Sequence, residues 1–293
     1  MIISIASGKG GTGKTTVAVN FALSLEKNKV QFLDCDVEEP NAEIFLKPII
    51  DKQEPFYTPK PVVDESLCIY CGKCSEACLY NAIAVVKKKV LIFYELCHSC
   101  GACKLVCPKE AILELDVKKG IIEEGKAGII EFVKGELEVS EASPTPLVRA
   151  VKKKIKPNYI SIIDVSPGTS CPVVEAVKDS HFCILVTEPT PFGLNDLKLA
   201  VEMCKKLKVP TGVIINRVQK QYAHQHMQYE HDILHTDEQM DRYLEQENIP
   251  VLMRIPIDRE IAKKYSEGKP FVESKPEYKK EFQNLLKKIE AQI

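Results

Sequence analysis

Short apolar runs recur along the chain, at 2–6, 30–34, 159–163, 182–187, 212–216 and 251–255. Each has the length of a strand buried on both faces. Between them the period changes. Val17, Phe21, Ala22 and Leu25 recur at helical spacing after the first run. Phe282, Leu285, Leu286 and Ile289 do the same after Pro276, and one such stripe is the pattern of a helix docked on a core. Strands alternating with helices predict an α/β fold, a parallel sheet covered on both faces. Ligands then bind beyond the carboxyl ends of the strands. Ile121-Ile122 and Gly128-Ile129-Ile130 read as short strands in an ambiguous stretch. His224, His226, His231 and His235 fall in a polar stretch read as a surface insertion, with metal binding by His231 and His235 as the alternative. Thr236-x-x-Gln239 is a capping box that opens a helix through about Glu247.

A chain of 293 residues, 45% of them hydrophobic, can bury a large core. Its net charge of −1 supplies no field for nucleic acid or an anionic membrane. Lys87–Lys89 and Lys152–Lys154 read as solvated edges and helix ends. No apolar run approaches the roughly 20 residues of a membrane span. Met1–Ala6 lacks the basic flank and cleavage site of a signal peptide. A cytoplasmic protein is expected. Thiols stay reduced there, so the 12 cysteines argue for metal rather than disulfides.

Eight of those cysteines form two copies of C-x-x-C-x-x-C-x-x-x-C. Cys68, Cys71, Cys74 and Cys78 are matched 29 positions later by Cys97, Cys100, Cys103 and Cys107. Flanking residues repeat too: Leu67 and Gly72 with Leu96 and Gly101, Ala82-Ile83 with Ala111-Ile112. This is a duplicated ligand set for 4Fe–4S clusters. Three closely spaced cysteines hold one cluster and the fourth completes the other. The rule predicts Cys68, Cys71, Cys74 and Cys107 on one cluster, and Cys97, Cys100, Cys103 and Cys78 on the other. Structural zinc takes four ligands in two separated pairs, a poor match. Residues 60–115 resemble the bacterial two-cluster ferredoxins. Pro108 follows Cys107, but Leu79 follows Cys78, where the family's turning and shielding proline would stand.

The first apolar run leads into Ser7-Gly8-Lys9-Gly10-Gly11-Thr12-Gly13-Lys14-Thr15-Thr16 and then the first helix. Strand, glycine loop and helix is the context of a P-loop. Backbone amides cradle phosphates, and the helix N-terminus adds a favourable dipole. Lys14 is expected to reach the β- and γ-phosphates, and Thr15 to ligate Mg²⁺. The early Lys9 makes the loop similar to the deviant Walker A family, the MinD/ParA group with Mrp-like and nitrogenase-iron-protein-like members. The resemblance implies an ATP-dependent homodimer in which Lys9 reaches the partner's nucleotide. It also implies that Asp34-Cys35-Asp36 opens a first switch, with Asp36 activating water and Asp34 supporting it. Asn41 fits turn formation or helix capping better. Asp164-Val165-Ser166-Pro167-Gly168-Thr169 resembles the second switch, with Asp164 near Mg²⁺. Asn216-Arg217 and Pro256-Ile257-Asp258 resemble adenine-proximal segments. Cys171 stands where the nitrogenase iron protein carries a cluster ligand; a buried packing residue is the preferred reading.

The ATPase motifs flank the cysteine repeats, so the repeats are an insert. The expectation is a parallel-sheet P-loop NTPase (SIMIBI/MinD-like) of residues 1–58 and 116–293, with a small α+β bacterial-type ferredoxin domain at 59–115. Pro55, Pro59 and Pro61 are taken to mark where the insert starts. The expected activity is ATP hydrolysis coupled to electron transfer through two 4Fe–4S clusters, with ATP and Mg²⁺ bound and a redox or cofactor-assembly protein as partner. The alternatives are an iron–sulfur or metallocofactor carrier ATPase and a MinD/ParA-like positioning ATPase.

Overall fold

The computed structural model describes residues 1–139, 141, 143–219 and 229–293, without the side chains of 229–236. The strands are β1 (Ile2–Ala6), β2 (Val30–Cys35), β3 (Ile49–Val63), β4 (Ile83–Val86), β5 (Lys89–Ile92), β6 (Ile112–Ala127), β7 (Ile130–Leu137), β8 (Ile160–Val165), β9 (Phe182–Thr187), β10 (Thr211–Val218) and β11 (Val251–Pro256). The helices are α1 (Lys14–Ser24), α2 (Ala42–Leu46), α3 (Lys73–Glu76), α4 (Ala102–Leu105), α5 (Thr145–Lys152), α6 (Cys171–Val177), α7 (Pro191–Leu207), α8 (Tyr229–Gln246), α9 (Arg259–Ser266) and α10 (Pro276–Glu290). His224 and His226, and the side chains of His231 and His235, lie outside the described residues. The helix expected to open at Thr236 begins at Tyr229.

One nine-stranded sheet has the order β11-β10-β9-β1-β8-β2-β7-β6-β3. From β11 to β7 every pairing is parallel. Alternate residues feed two apolar layers. Ile3, Ile5, Phe32, Ile162 and Ile184 pack on the side of α1 and α10. Leu33, Ile163, Leu185, Val213 and Ile215 pack on the side of α5, α6 and α7. The stripe of α10 is buried in the first of these layers, with the Phe282 and Phe21 rings 5.9 Å apart.

The sequence predicted a parallel sheet; the structure extends it with two antiparallel strands, β6 and β3. The ambiguous stretch is the end of β6 and the start of β7. Pro55, Pro59 and Pro61 lie inside β3 rather than before an insert. β3 is the outermost strand, where a missing N–H breaks no inner ladder. Pairing between β6 and β7 stops at Gly120 opposite Leu137, at the carboxyl edge of the parallel strands. The β3–β6 pair continues to Val63 opposite Ile112. At ~3.4 Å per residue the ribbon reaches roughly 27 Å past that edge. It carries residues 64–111, the cysteine unit. Lys154 braces its root, with Nζ 2.7 Å from Glu54 and 2.9 Å from Glu124.

Candidate functional site

The glycine loop leaves β1 and enters α1 directly. Gly13 caps the helix at φ 93°, a left-handed conformation, and a Cβ there would lie 2.4 Å from Asn216 Nδ2. Asn216 Nδ2 donates to the Thr12 carbonyl at 2.8 Å, fastening the loop to β10. A side chain at Gly8 would meet the Asp196 carbonyl oxygen at 2.1 Å. A cleft of about 600 Å³ opens over the loop. Of the predicted residues its wall takes Gly10, Gly11, Gly13, Lys14, Thr15, Thr16, Asp36, Asn216, Arg217, Pro256 and Asp258. Gly8, Lys9, Thr12 and Asp164 are not on that wall. Lys9 Nζ instead lies 3.8 Å from Glu188 Oε2, and Arg217 pairs with the other oxygen of the same carboxylate.

Three aspartates stand at the carboxyl ends of β2 and β8, and their environments differ. Asp34 is fully buried and accepts from the backbone N–H groups of Asp36, Asn41 and Ala42, at 3.2, 3.1 and 3.0 Å. It organises the loop and the start of α2. Asn41, expected to cap, sits at the N-cap without a side-chain bond. Asp36 is half-buried on the cleft wall. Burial raises its pKa, while Ser166 and Lys14 pull it down. Asp164 is buried, and neither carboxylate oxygen has a hydrogen-bond partner. Burial, with help from nearby Asp36, raises it to about 7 against the pull of Thr15 and Lys14.

The far wall was not legible as a site. It takes Ile261, Ala262, Tyr265 and Phe271. Ile261 and Tyr265 are four apart on α9, a spacing that puts both on one face. Asp258 is on this wall, but its carboxylate is occupied. It accepts from the N–H groups of Glu260 and Ile261 at 2.8 and 3.3 Å and pairs with Lys275 at 2.9 Å. Lys275 holds the Asp258 pKa low.

In the cysteine unit the duplication is visible in the backbone. Tyr70, Gly72 and Asn81 are left-handed, and so are Ser99, Gly101 and Glu110, each 29 residues on. α3 and α4 occupy matching places. Ala82 N–H donates to Cys78 Sγ at 3.3 Å and Ala111 N–H to Cys107 Sγ at 3.2 Å. Two small cavities result. Cys68, Cys71, Cys74 and Cys107 border one, beside Pro108. Cys97, Cys100, Cys103 and Cys78 border the other, beside the stacked Tyr80 and His98 rings, 3.8 Å apart. Burial raises the Cys74 thiol and brings Cys103 to about 11. Metal ligation takes thiolates and would release these protons. Among the described residues no three His, Cys, Asp or Glu side chains are grouped to hold a single metal ion. Cys171, read as buried packing, is exposed at the first residue of α6. Cys35, Cys183 and Cys204 are buried.

The CobQ/CobB/MinD/ParA nucleotide binding domain matches residues 3–271. Two uncharacterized proteins of Methanocaldococcus jannaschii are 36% and 30% identical over 74% of this chain, covering 78% and 80% of their own lengths. An iron-sulfur cluster carrier protein of Helicobacter pylori is 25% identical over 94% of this chain and 62% of its own length. The fold is similar to that of the septum site-determining protein MinD with Mg-ADP from Pyrococcus horikoshii, with TM-score 0.56, 24% identity, 98% of this chain and 95% of that one. Among the described residues no helix is long and apolar enough to cross a membrane.

Proposed function

Because the chain belongs to the CobQ/CobB/MinD/ParA nucleotide-binding family of P-loop ATPases, we propose that it is an ATP-hydrolysing homodimer that couples its nucleotide state to electron transfer through two 4Fe–4S clusters. The observation that carries this reading is the crosswise sorting of eight thiols into two four-thiol cavities, on a ribbon rooted beside the first switch loop.

The loop amides of residues 10–13 and the N-terminus of α1 would receive the phosphates, with Lys14 neutralising their charge. Thr15 and Asp164 would hold Mg²⁺, which supplies charge stabilisation at the phosphates when bound. The fit is chemical: Asp164 is a buried carboxylate without a partner, which a cation would compensate. Asp36 faces the cleft and is placed to orient a water for attack on the γ-phosphate. Lys9 rests outside its own cleft, in keeping with a lysine supplied to a partner subunit.

Cys68, Cys71, Cys74 and Cys107 would hold one cluster, and Cys97, Cys100, Cys103 and Cys78 the other. The clusters would supply one-electron chemistry. The N–H groups of Ala82 and Ala111 donate to the sulfurs of the two crossing residues and would support them as cluster ligands. The two ends are linked through backbone. Leu137 at the end of β7 donates to the Val37 carbonyl, next to Asp36, at 2.8 Å. β7 in turn pairs with β6, which runs out to the cysteine unit. Movement of the first switch therefore loads the strand that the ribbon leans on.

The test is anaerobic reconstitution with iron and sulfide. About eight irons per chain are expected. Cys107→Ser should remove the same spectroscopic signal as Cys68→Ser. If it removes the signal lost in Cys97→Ser, the crosswise sorting is wrong. The name of the carrier relatives favours a second reading, delivery of clusters. Transfer of iron and sulfide to an apo-acceptor faster than chemical reconstitution would select it.

A further inference from the structure

The two cysteine sets repeat each other in spacing, in left-handed positions and in N–H···S bonds, but their charged neighbours differ: Lys73 and Lys109 border the first cavity, Glu114 borders the second, and one buried lysine is fixed against the second set. Lys60, near the end of β3, is 4% exposed. Its ammonium donates to the Cys97 carbonyl at 2.6 Å and the Tyr94 carbonyl at 3.3 Å. The same segment is seated on β3 by two more contacts. Tyr94 Oη donates to the Pro61 carbonyl at 3.2 Å, and Ser99 Oγ to Thr58 Oγ1 at 3.4 Å. The nearby charges are Lys119, 8% exposed, the Glu141 carboxylate that it hydrogen-bonds, and Glu114 on the wall of the second cavity, which Lys104 pairs at 3.0 Å. In the first set the residue matching Cys97 is Cys68. Among the described residues no lysine is hydrogen-bonded to it.

We propose that Lys60 tunes the second cysteine set as an electron site, favouring its reduction while leaving the first set much less affected. The inference rests on the two-cluster reading above. Reduction adds one negative charge to whichever set accepts the electron. A buried ammonium fixed against Cys97 stabilises that charge through a weakly screening wall, and its influence on the first set falls with distance. Charge and hydrogen bonding near the sulfurs are what set such potentials. Each accepted electron comes from a one-electron donor such as titanium(III) citrate, which is itself oxidised by one electron.

An anaerobic redox titration followed by electron paramagnetic resonance tests this, with Cys68→Ser assigning the signals. Lys60→Gln should make reduction of the second set at least tenfold less favourable, about 59 mV for one electron, and move the first set much less. Lys60→Arg should restore the wild-type midpoint of the second set. Unchanged midpoints in Lys60→Gln, or equal shifts of both, would overturn the proposal. If Lys60→Gln fails to hold iron, Glu141→Gln serves in its place. It removes a negative charge from the same wall and is expected to ease reduction of the second set; no movement or the opposite sign overturns the proposal. A wild type with no reducible cluster signal would defeat the two-cluster reading itself, a result distinct from either.

Discussion

Phe21, Phe32, Phe132, Phe182 and Phe282 are wholly buried in the layer beneath the sheet. In the cysteine unit the buried cluster is Ile83, Cys103 and Ile112, while Leu79 and Leu105 stand 90% and 86% exposed. Each buried phenylalanine contributes about 1.5–3 kcal/mol, so the sheet has an ample apolar core of its own. A unit of about 40–50 residues with so small a core needs a staple, and here the thiols are placed to hold one. The sheet is held by solvent exclusion, and on the reading proposed here the cysteine unit by ligation.

The sharpest way to break that contrast is to remove iron with a chelator under anaerobic conditions. Amide exchange within 64–111 should rise by roughly a hundredfold or more, while the amides of β1 and β8 keep their protection. Equal loss in both regions would mean that the two are one cooperative unit. The converse lesion is Lys14→Ala. It should lower ATP turnover by roughly a hundredfold or more and leave cluster absorbance intact; loss of both would again deny the separation.

The join between the regions can be loosened without touching either site. Lys134 on β7 is buried and pairs with Glu43 of α2 at 2.8 Å, Glu123 of β6 at 3.0 Å and Glu136 at 3.3 Å. Lys134→Met should cost about 2 kcal/mol in global unfolding, because the largely covered Glu123 carboxylate, 14% exposed, and its two neighbours lose their shared cation. It should also reduce any response of the cysteine unit to nucleotide. A smaller effect comes from Asp164. Its carboxyl is raised in the folded protein to about 7, so the folded state holds a proton that the unfolded chain has released. That contribution is fully present below about pH 4 and is lost as pH rises through about 7. The metal-free protein should therefore melt at a lower temperature at pH 8 than at pH 5, and Asp164→Asn should flatten the dependence. A wild type whose melting temperature rises over that range would contradict the assignment.

What could be read from the sequence follows the same division. Buried parallel strands are near-continuous apolar runs, so β1, β2, β8, β9, β10 and β11 were legible, and the glycine loop with them. β3 was not. Ile49–Val63 carries three prolines and several charges because it is an edge strand with neither face fully covered. The partition of the cysteines follows from spacing, but Lys60 against Cys97 does not. That contact depends on how the ribbon folds over a segment more than thirty residues away. Lys9 beside Glu188 is similar, since it requires β9 to neighbour β1. Tyr265 of the cleft wall was hidden because one aromatic residue on a mostly polar helix carries no signal until the cleft is seen.

On the reading proposed here, nucleotide state reaches the cysteine unit. Potentiometry of both cluster signals, with and without MgATP, in the wild type and in Lys14→Ala, tests it most directly. MgATP should shift at least one midpoint in the wild type and neither in Lys14→Ala. Identical midpoints with and without MgATP in the wild type would contradict it.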